Sequence, residues 1–164
     1  MHVVLKMAAT SGTTHALGEV VAQVGTRSPF DLGKIVRFAC VGLLLHGPLS
    51  YLWLTGADLA MERVGRRWSR AARTLSLIVA DQIAWGPFWI LVSCAVLRQL
   101  EGRPLDGLLP MVGALCVRGW GLWLPAHTVT YGAIKGKLAR LIWVDSVEIC
   151  WVCILACALR GTPH

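Results

Sequence analysis

Charged residues are scarce in this sequence. Asp, Glu, Lys and Arg make up 15% of its 164 residues, 55% are hydrophobic, and the mean hydropathy is +0.60. A soluble domain carries about 25% charged residues, which it needs to cover its surface. The shortage excludes an ordinary soluble domain and favours a small integral membrane protein whose partner is the lipid bilayer. The length fits one domain, which we place at residues 1–164.

Acidic residues are fewer than basic ones, 9 against 16, and the net charge is +7 at pH 7. A basic excess can indicate nucleic-acid binding. Here, however, the basic residues stand in short runs between apolar segments, such as ERVGRRWSRAAR at 62–73. Such runs are typical of loops that stay on the cytosolic or matrix side of a membrane. We therefore expect no nucleic-acid partner and place the 62–73 loop on that side.

Compact catalytic and cofactor motifs are lacking as well. The sequence has no phosphate-binding Gly loop and no nucleophile elbow, and its five histidines, at positions 2, 15, 46, 127 and 164, are scattered. Cys150, Cys153 and Cys157 share one helical face, which leaves a redox or metal role open, but no second Cys/His pair has zinc spacing. Apolar packing is the favoured role of these thiols. We predict no catalytic residues, no cofactor and no metal site.

Long apolar segments are abundant, and each is long enough to form a membrane-spanning helix. A helix of about 20 residues crosses a bilayer core of about 30 Å. Four segments meet this length, at 38–57, 76–97, 108–134 and 138–159, and a weaker helical segment runs over 3–24. The sequence thus predicts an all-α membrane helix bundle with about four transmembrane helices and a weaker N-terminal helix.

Ionisable side chains interrupt these apolar segments. Each costs about 2.5–3.5 kcal/mol if it faces lipid near the bilayer centre, so we expect them to face the bundle interior. Arg118 is the only basic residue well inside a span, which makes it the predicted partner of one acid. A structural ion pair, a water-filled path, and a proton relay or enzyme site remain open. The candidate pore-lining or intrabundle polar residues are Glu19, Gln23, Asp81, Gln82, Arg118, Asp145 and Glu148.

Three prolines fall inside the predicted spans. Pro48, Pro87 and Pro125 each remove one backbone hydrogen bond of an α-helix. In lipid the freed carbonyls need other partners. We expect helices that bend around a shared interior, although such bends also serve packing alone.

Four motifs in order resemble the Mpv-type peroxisomal membrane protein family over nearly the whole chain. SGTTHALGEVVAQ is similar to the first helix of the family, with Glu19 in place of Asp. DQIAWGP matches Asp-Gln-x4-Pro through Asp81, Gln82 and Pro87. The segment 37–58 matches a second motif through Arg37, Gly42, Gly47, Pro48, Trp53 and Asp58, and the C-terminal spacing is matched by Pro125, Arg140 and Trp151.

The resemblance implies a membrane protein of the mitochondrial inner or peroxisomal membrane with four transmembrane helices, and no catalytic residues. Some members form weakly selective channels for small solutes, so a solute channel is the expected function, a homo-oligomer is a possible state, and a non-conducting scaffold is the alternative. The mitochondrial inner membrane is the favoured location. The sequence departs from the C-terminal motif at several polar positions, Thr128 and Tyr131 among them, which bears on any pore property set there.

Overall fold

The fold is a bundle of long helices, which confirms the predicted fold class. The computed structural model describes residues 2–160, except for the side chains at 2, 137, 138, 141 and 160. In this range the chain forms five long helices joined by short turns. They are α1 (His2–Gly25), α2 (Leu32–Arg63), α3 (Arg70–Leu100), α4 (Leu108–Gly132) and α5 (Lys137–Arg160).

Within the described residues, α2, α3, α4 and the 142–159 part of α5 are long and apolar enough to cross a membrane. Helices α2 and α3 extend well beyond the predicted spans because polar residues outside the apolar segments cap them. Asp31 accepts a hydrogen bond from the amide of Lys34 at 3.0 Å, and Ser69 accepts one from Ala72 at 3.2 Å. The Lys34 amide also holds the pKa of the Asp31 carboxyl below its usual range.

Each helix packs against the next, and α5 returns to α1, so the bundle is closed. Small residues set the closest approaches. A Cβ atom at Gly47 would stand 2.5 Å from the Cα of Ala8, and one at Gly18 would stand 2.5 Å from Val152. Neither position has room for a larger side chain, as is typical of tightly packed membrane helices.

Both Gly-Pro pairs follow a π-helical turn. These turns span Gly42–His46 before Pro48 and Asp81–Trp85 before Pro87. In each, the amide of the glycine bonds the carbonyl five residues back, at Gly42 and at Asp81. The wider turn redirects backbone bonds next to a proline that lacks an N–H, and such turns often mark functional sites. Pro125, by contrast, lies inside the uninterrupted helix α4.

The basic loop at 62–73 meets the turn between α4 and α5 at one end of the bundle. Arg70 donates to the carbonyl of Gly132 at 2.6 Å, and Arg140 pairs with Asp58 at 3.2 Å. The 62–73 loop and this turn therefore share one end of the bundle. The placement of this end on the cytosolic or matrix side stays a prediction.

Candidate functional site

Helix α1 turns its polar side chains inward. Ser11, His15, Glu19 and Gln23 follow one another at four-residue spacing, and each is at most 2% exposed. Large apolar side chains of the same helix are exposed instead: Val3, Leu5, Leu17, Val21 and Val24. This arrangement is the reverse of a soluble helix and fits a helix that faces lipid on its outer side.

The inner stripe of α1 continues into hydrogen bonds at its C-terminal end. Gln23 donates to Glu19 at 2.8 Å and to the carbonyl of Asp31 at 3.0 Å, and the Asp31 amide donates back to Gln23 at 2.9 Å. The motif residues Glu19 and Gln23 therefore fix the turn between α1 and α2 from inside the bundle. The sequence pattern that reveals this role is the i, i+4 spacing of polar residues in an otherwise weakly amphipathic helix.

Asp81 is held by residues from two other helices, which together form the Asp81 cluster (Trp53, Asp81 and His127). The indole Nε1 of Trp53 on α2 donates to Oδ1 of Asp81 at 2.6 Å. Nδ1 of His127 on α4 lies 3.8 Å from Oδ2. The His127 ring stacks between Trp123 and Tyr131, with centroid separations of 5.1 and 5.7 Å.

Glu148 on α5 faces two histidines, and we call this group the Glu148 cluster (Ser11, His15, His46 and Glu148). Its Oε1 atom lies 3.8 Å from Nε2 of His15 and 3.8 Å from Nε2 of His46. Ser11 joins the two rings: its Oγ lies 2.7 Å from Nδ1 of His46, and its carbonyl lies 2.9 Å from Nδ1 of His15. All four side chains are buried.

The two clusters border one central cavity. The cavity has a volume of about 60 Å³, which leaves room for roughly four water molecules. Its polar lining includes His46, Asp81, His127, Asp145 and Glu148, and its aromatic lining includes Trp53, Trp85, Trp89, Trp120, Trp123 and Trp151. Asp145 and Glu148, three residues apart on α5, both border this cavity.

A second and larger cavity, the vestibule, opens at the end of the bundle opposite the 62–73 loop. Its volume is about 860 Å³. Charged residues of both signs line it: Glu19, Asp31, Lys34, Arg37, Arg98, Glu101 and Arg103. The inner stripe of α1 joins the two regions, because Glu19 borders the vestibule and His15, one turn earlier, belongs to the Glu148 cluster.

The predicted role of Arg118 is wrong. Its side chain is exposed on the outer face of α4, and among the described residues it forms no ion pair with Asp81, Asp145 or Glu148. A long Arg side chain on a helix surface can extend toward a water interface, which lowers the cost of facing lipid. The acids meet histidine and tryptophan instead. Gln82 is half-buried beside Asp81 and borders the central cavity.

Most of the other motif residues lie in contacts between helices or next to the π-helical turns. Trp151 is 1% exposed and packs against Trp123 at a centroid distance of 6.4 Å. Arg140 links α5 to α2 through Asp58, which joins two separate motifs. Gly47 lies in the α1–α2 contact, Pro48 and Pro87 follow the π-helical turns, and Pro125 is exposed.

Comparison with known proteins agrees with the motifs. The chain is 22% identical to the mitochondrial inner membrane protein Mpv17 of Drosophila melanogaster, with 88% of this chain and 89% of that protein covered. It is 24% identical to PXMP2/4 family protein 3 of Dictyostelium discoideum (88% and 77% covered) and 25% identical to peroxisomal membrane protein 2 of Bos taurus (95% and 83% covered).

No protein-family model matches the chain, and no solved structure matches it. The curated relatives nevertheless cover most of its length, in the same range as the four motifs. The resemblance is therefore confirmed: this multi-pass membrane protein is similar to the Mpv17 and PXMP2 group of organelle membrane proteins along most of its chain.

Proposed function

We propose that the chain is a weakly selective channel for small solutes in an organelle membrane. The observation that carries this proposal is the polar interior of the bundle. Three carboxylates and two histidines border the central cavity, together with Ser50, Gln82 and Tyr131, and a charged vestibule lies toward one end. Buried acids are costly in a membrane unless they meet partners or water, and a hydrated path supplies that water.

The aromatic lining supports a path for small solutes only. The stacked rings of Trp53, Trp85 and Trp89, with centroid separations of 5.5 and 6.4 Å, form one wall of the central cavity. Because the cavity is narrow and lined by rings, solutes of a few heavy atoms fit this proposal better than large metabolites. The acids that border the cavity favour neutral or cationic solutes over anions.

The proposed location is the mitochondrial inner membrane, with the peroxisomal membrane as the second choice. The relatives include a mitochondrial inner membrane protein and a peroxisomal membrane protein. A fluorescent fusion of the full chain, imaged against markers of both organelles, decides between them. Exclusive overlap with the peroxisomal marker would refute the preferred location.

The channel proposal is tested by reconstitution of the purified protein in planar bilayers. We expect discrete conductance steps from the wild type and a changed cation preference from Asp81→Asn, because the substitution removes a charge at the cavity but keeps the Oδ1 acceptor for Trp53. Asp106→Asn is the matched control, since Asp106 is exposed in the turn before α4, and its currents should equal those of the wild type. Silent membranes at verified incorporation would refute the channel.

A non-conducting scaffold is the second candidate. Small residues Ser76, Ala80 and Ala84 follow one face of α3, and Ala84 is exposed beside Ile83, which is 70% exposed. This end of the face is available for packing against a second copy or another membrane helix. If the scaffold is correct, Ala80→Leu abolishes a crosslinked assembly and the wild type conducts nothing.

A further inference from the structure

We propose that the Glu148 cluster is a binding site for a divalent transition-metal ion, most suitably Zn²⁺. The proposal goes beyond the channel and does not depend on conduction. Its ligands are Nε2 of His15, Nε2 of His46 and a carboxylate oxygen of Glu148. One ligand atom from each of the three residues lies within 4.8 Å of the other two, and the residues come from α1, α2 and α5. Two imidazoles and one carboxylate form a ligand set that zinc takes in proteins, with water as the fourth ligand.

The distances fit an ion after a small contraction. Oε1 of Glu148 lies 3.8 Å from each Nε2, whereas two ligands of one tetrahedral zinc ion are roughly 3.3 Å apart. Zinc–nitrogen bonds are about 2.0–2.1 Å. The three side chains would thus move inward by a few tenths of an ångström, which side-chain rotations can supply.

The hydrogen bonds of both histidine rings use Nδ1, which leaves each Nε2 facing Glu148. Nδ1 of His15 lies 2.9 Å from the carbonyl of Ser11, and a carbonyl only accepts, so Nδ1 carries the proton and Nε2 presents a lone pair. In the tautomer in which Nδ1 of His46 donates to Ser11 Oγ, its Nε2 does the same. Metal-bound histidines are commonly oriented in this way through their second nitrogen.

The facing atoms otherwise lack partners. Nε2 of His15 and Oε1 of Glu148 are both buried without a hydrogen bond, although each residue is about 99% buried. An unsatisfied buried polar atom is costly, and two such atoms that point at a third acceptor repel one another. A cation between them supplies the missing partner of both atoms and removes this repulsion.

Charge balance favours the same ion. Two neutral imidazoles and one carboxylate leave a bound divalent ion with an excess charge of +1. Asp145, which is buried one turn before Glu148 and also has an unpartnered oxygen, supplies the remaining negative charge. An ion with these two acids is therefore neutral overall, which a membrane interior requires. Because His46 and Glu148 border the central cavity, a water molecule can reach the fourth position.

The test is metal binding by the purified full chain in detergent after treatment with a chelator. We expect about one equivalent of Zn²⁺ per chain, a rise in the thermal unfolding midpoint with added Zn²⁺, and a tetrahedral visible spectrum with Co²⁺ that lacks thiolate charge-transfer bands. Affinity should fall at least tenfold in His46→Gln and in Glu148→Gln. The matched control His127→Gln, a buried histidine outside the cluster, should bind like the wild type.

Several results would overturn the proposal. One is the absence of saturable Zn²⁺ or Co²⁺ binding by folded wild-type protein. Another is a thiolate band that disappears when Cys150, Cys153 and Cys157 are changed to Ser, which would assign the ion to the cysteines. If a cluster variant does not fold, the wild-type stoichiometry and Co²⁺ spectrum still decide, because they report the ligand types directly.

Discussion

The two buried carboxylates at the centre of the bundle, Asp81 and Glu148, are held in different ways. Asp81 accepts a hydrogen bond of 2.6 Å from Trp53, so one of its oxygens has a fixed donor. Oε1 of Glu148 has no donor within hydrogen-bond distance and faces two histidine nitrogens at 3.8 Å. Both acids border the same cavity.

The difference separates an anchored acid from an available one. Trp53 and Asp81 come from two different motifs, and their hydrogen bond ties α2 to α3. The two histidines that face Oε1 of Glu148 lie on α1 and α2, and their spacing leaves room for an ion or a proton between them. Asp81 therefore mainly holds α2 and α3 together, whereas Glu148 can still bind an ion or a proton.

Gly47→Leu should abolish the Glu148 cluster by separating α1 from α2. A Cβ at this position already meets backbone of Ala8 at 2.5 Å, so we expect a loss of stability of more than about 3 kcal/mol or failure to fold. Folding yield in detergent and thermal unfolding measure the effect. Gly56→Leu is the control because nothing lies within 4 Å of its Cβ position. Normal stability of Gly47→Leu would contradict the tight α1–α2 contact.

Trp53→Phe should remove the hydrogen bond to Asp81 while it keeps an aromatic ring at this position. The loss of one donor to a buried carboxylate costs about 1–3 kcal/mol, which lowers the thermal unfolding midpoint. In an Asp81→Asn background the same change should cost less, because the charge that needs the donor is gone. Trp68→Phe is the control, since Trp68 is 41% exposed. Equal costs in both backgrounds would show that Trp53 acts through packing alone.

Arg140→Gln should have the smallest effect. Its pair with Asp58 is partly exposed, with 22% and 28% exposure of the two side chains, and such pairs contribute about 0–1 kcal/mol. Lys135→Gln, in the neighbouring exposed turn, controls for the loss of a positive charge. Thermal unfolding at low and high salt should differ slightly for Arg140→Gln only. A loss of stability as large as that in Trp53→Phe would contradict this expectation and show that the Arg140–Asp58 pair contributes as much as the Trp53–Asp81 hydrogen bond.

The sequence predicted the fold class well because apolar length alone indicates membrane helices. It also placed Glu19, Asp81, Asp145 and Glu148 inside the bundle correctly, since a charged side chain in a span is costly where it faces lipid. The partner of the acids was predicted wrongly. Arg118 was selected as the only basic residue in a span, but a side chain that long can face outward.

The histidine contacts were not predictable from spacing. His15, His46 and Glu148 are 31 and 102 positions apart, and only the α1–α2–α5 packing brings them together. The regular Ser11, His15, Glu19 and Gln23 pattern was visible in the sequence. The sequence did not show which way this polar stripe faces. The structure shows that it faces inward, because the apolar face of α1 lies on the outside of the bundle.

Water access to the central cavity is the most direct test of a polar interior within the membrane. Cysteine placed at Ser50, which is buried and lines the cavity, is compared with cysteine at Leu52, which is 63% exposed on the outer face, in a chain without its native cysteines. A charged methanethiosulfonate reagent modifies thiolates in water and not in lipid. We predict modification of Ser50→Cys and protection of Leu52→Cys in intact membranes. Protection of Ser50→Cys until the protein is denatured would contradict a hydrated interior.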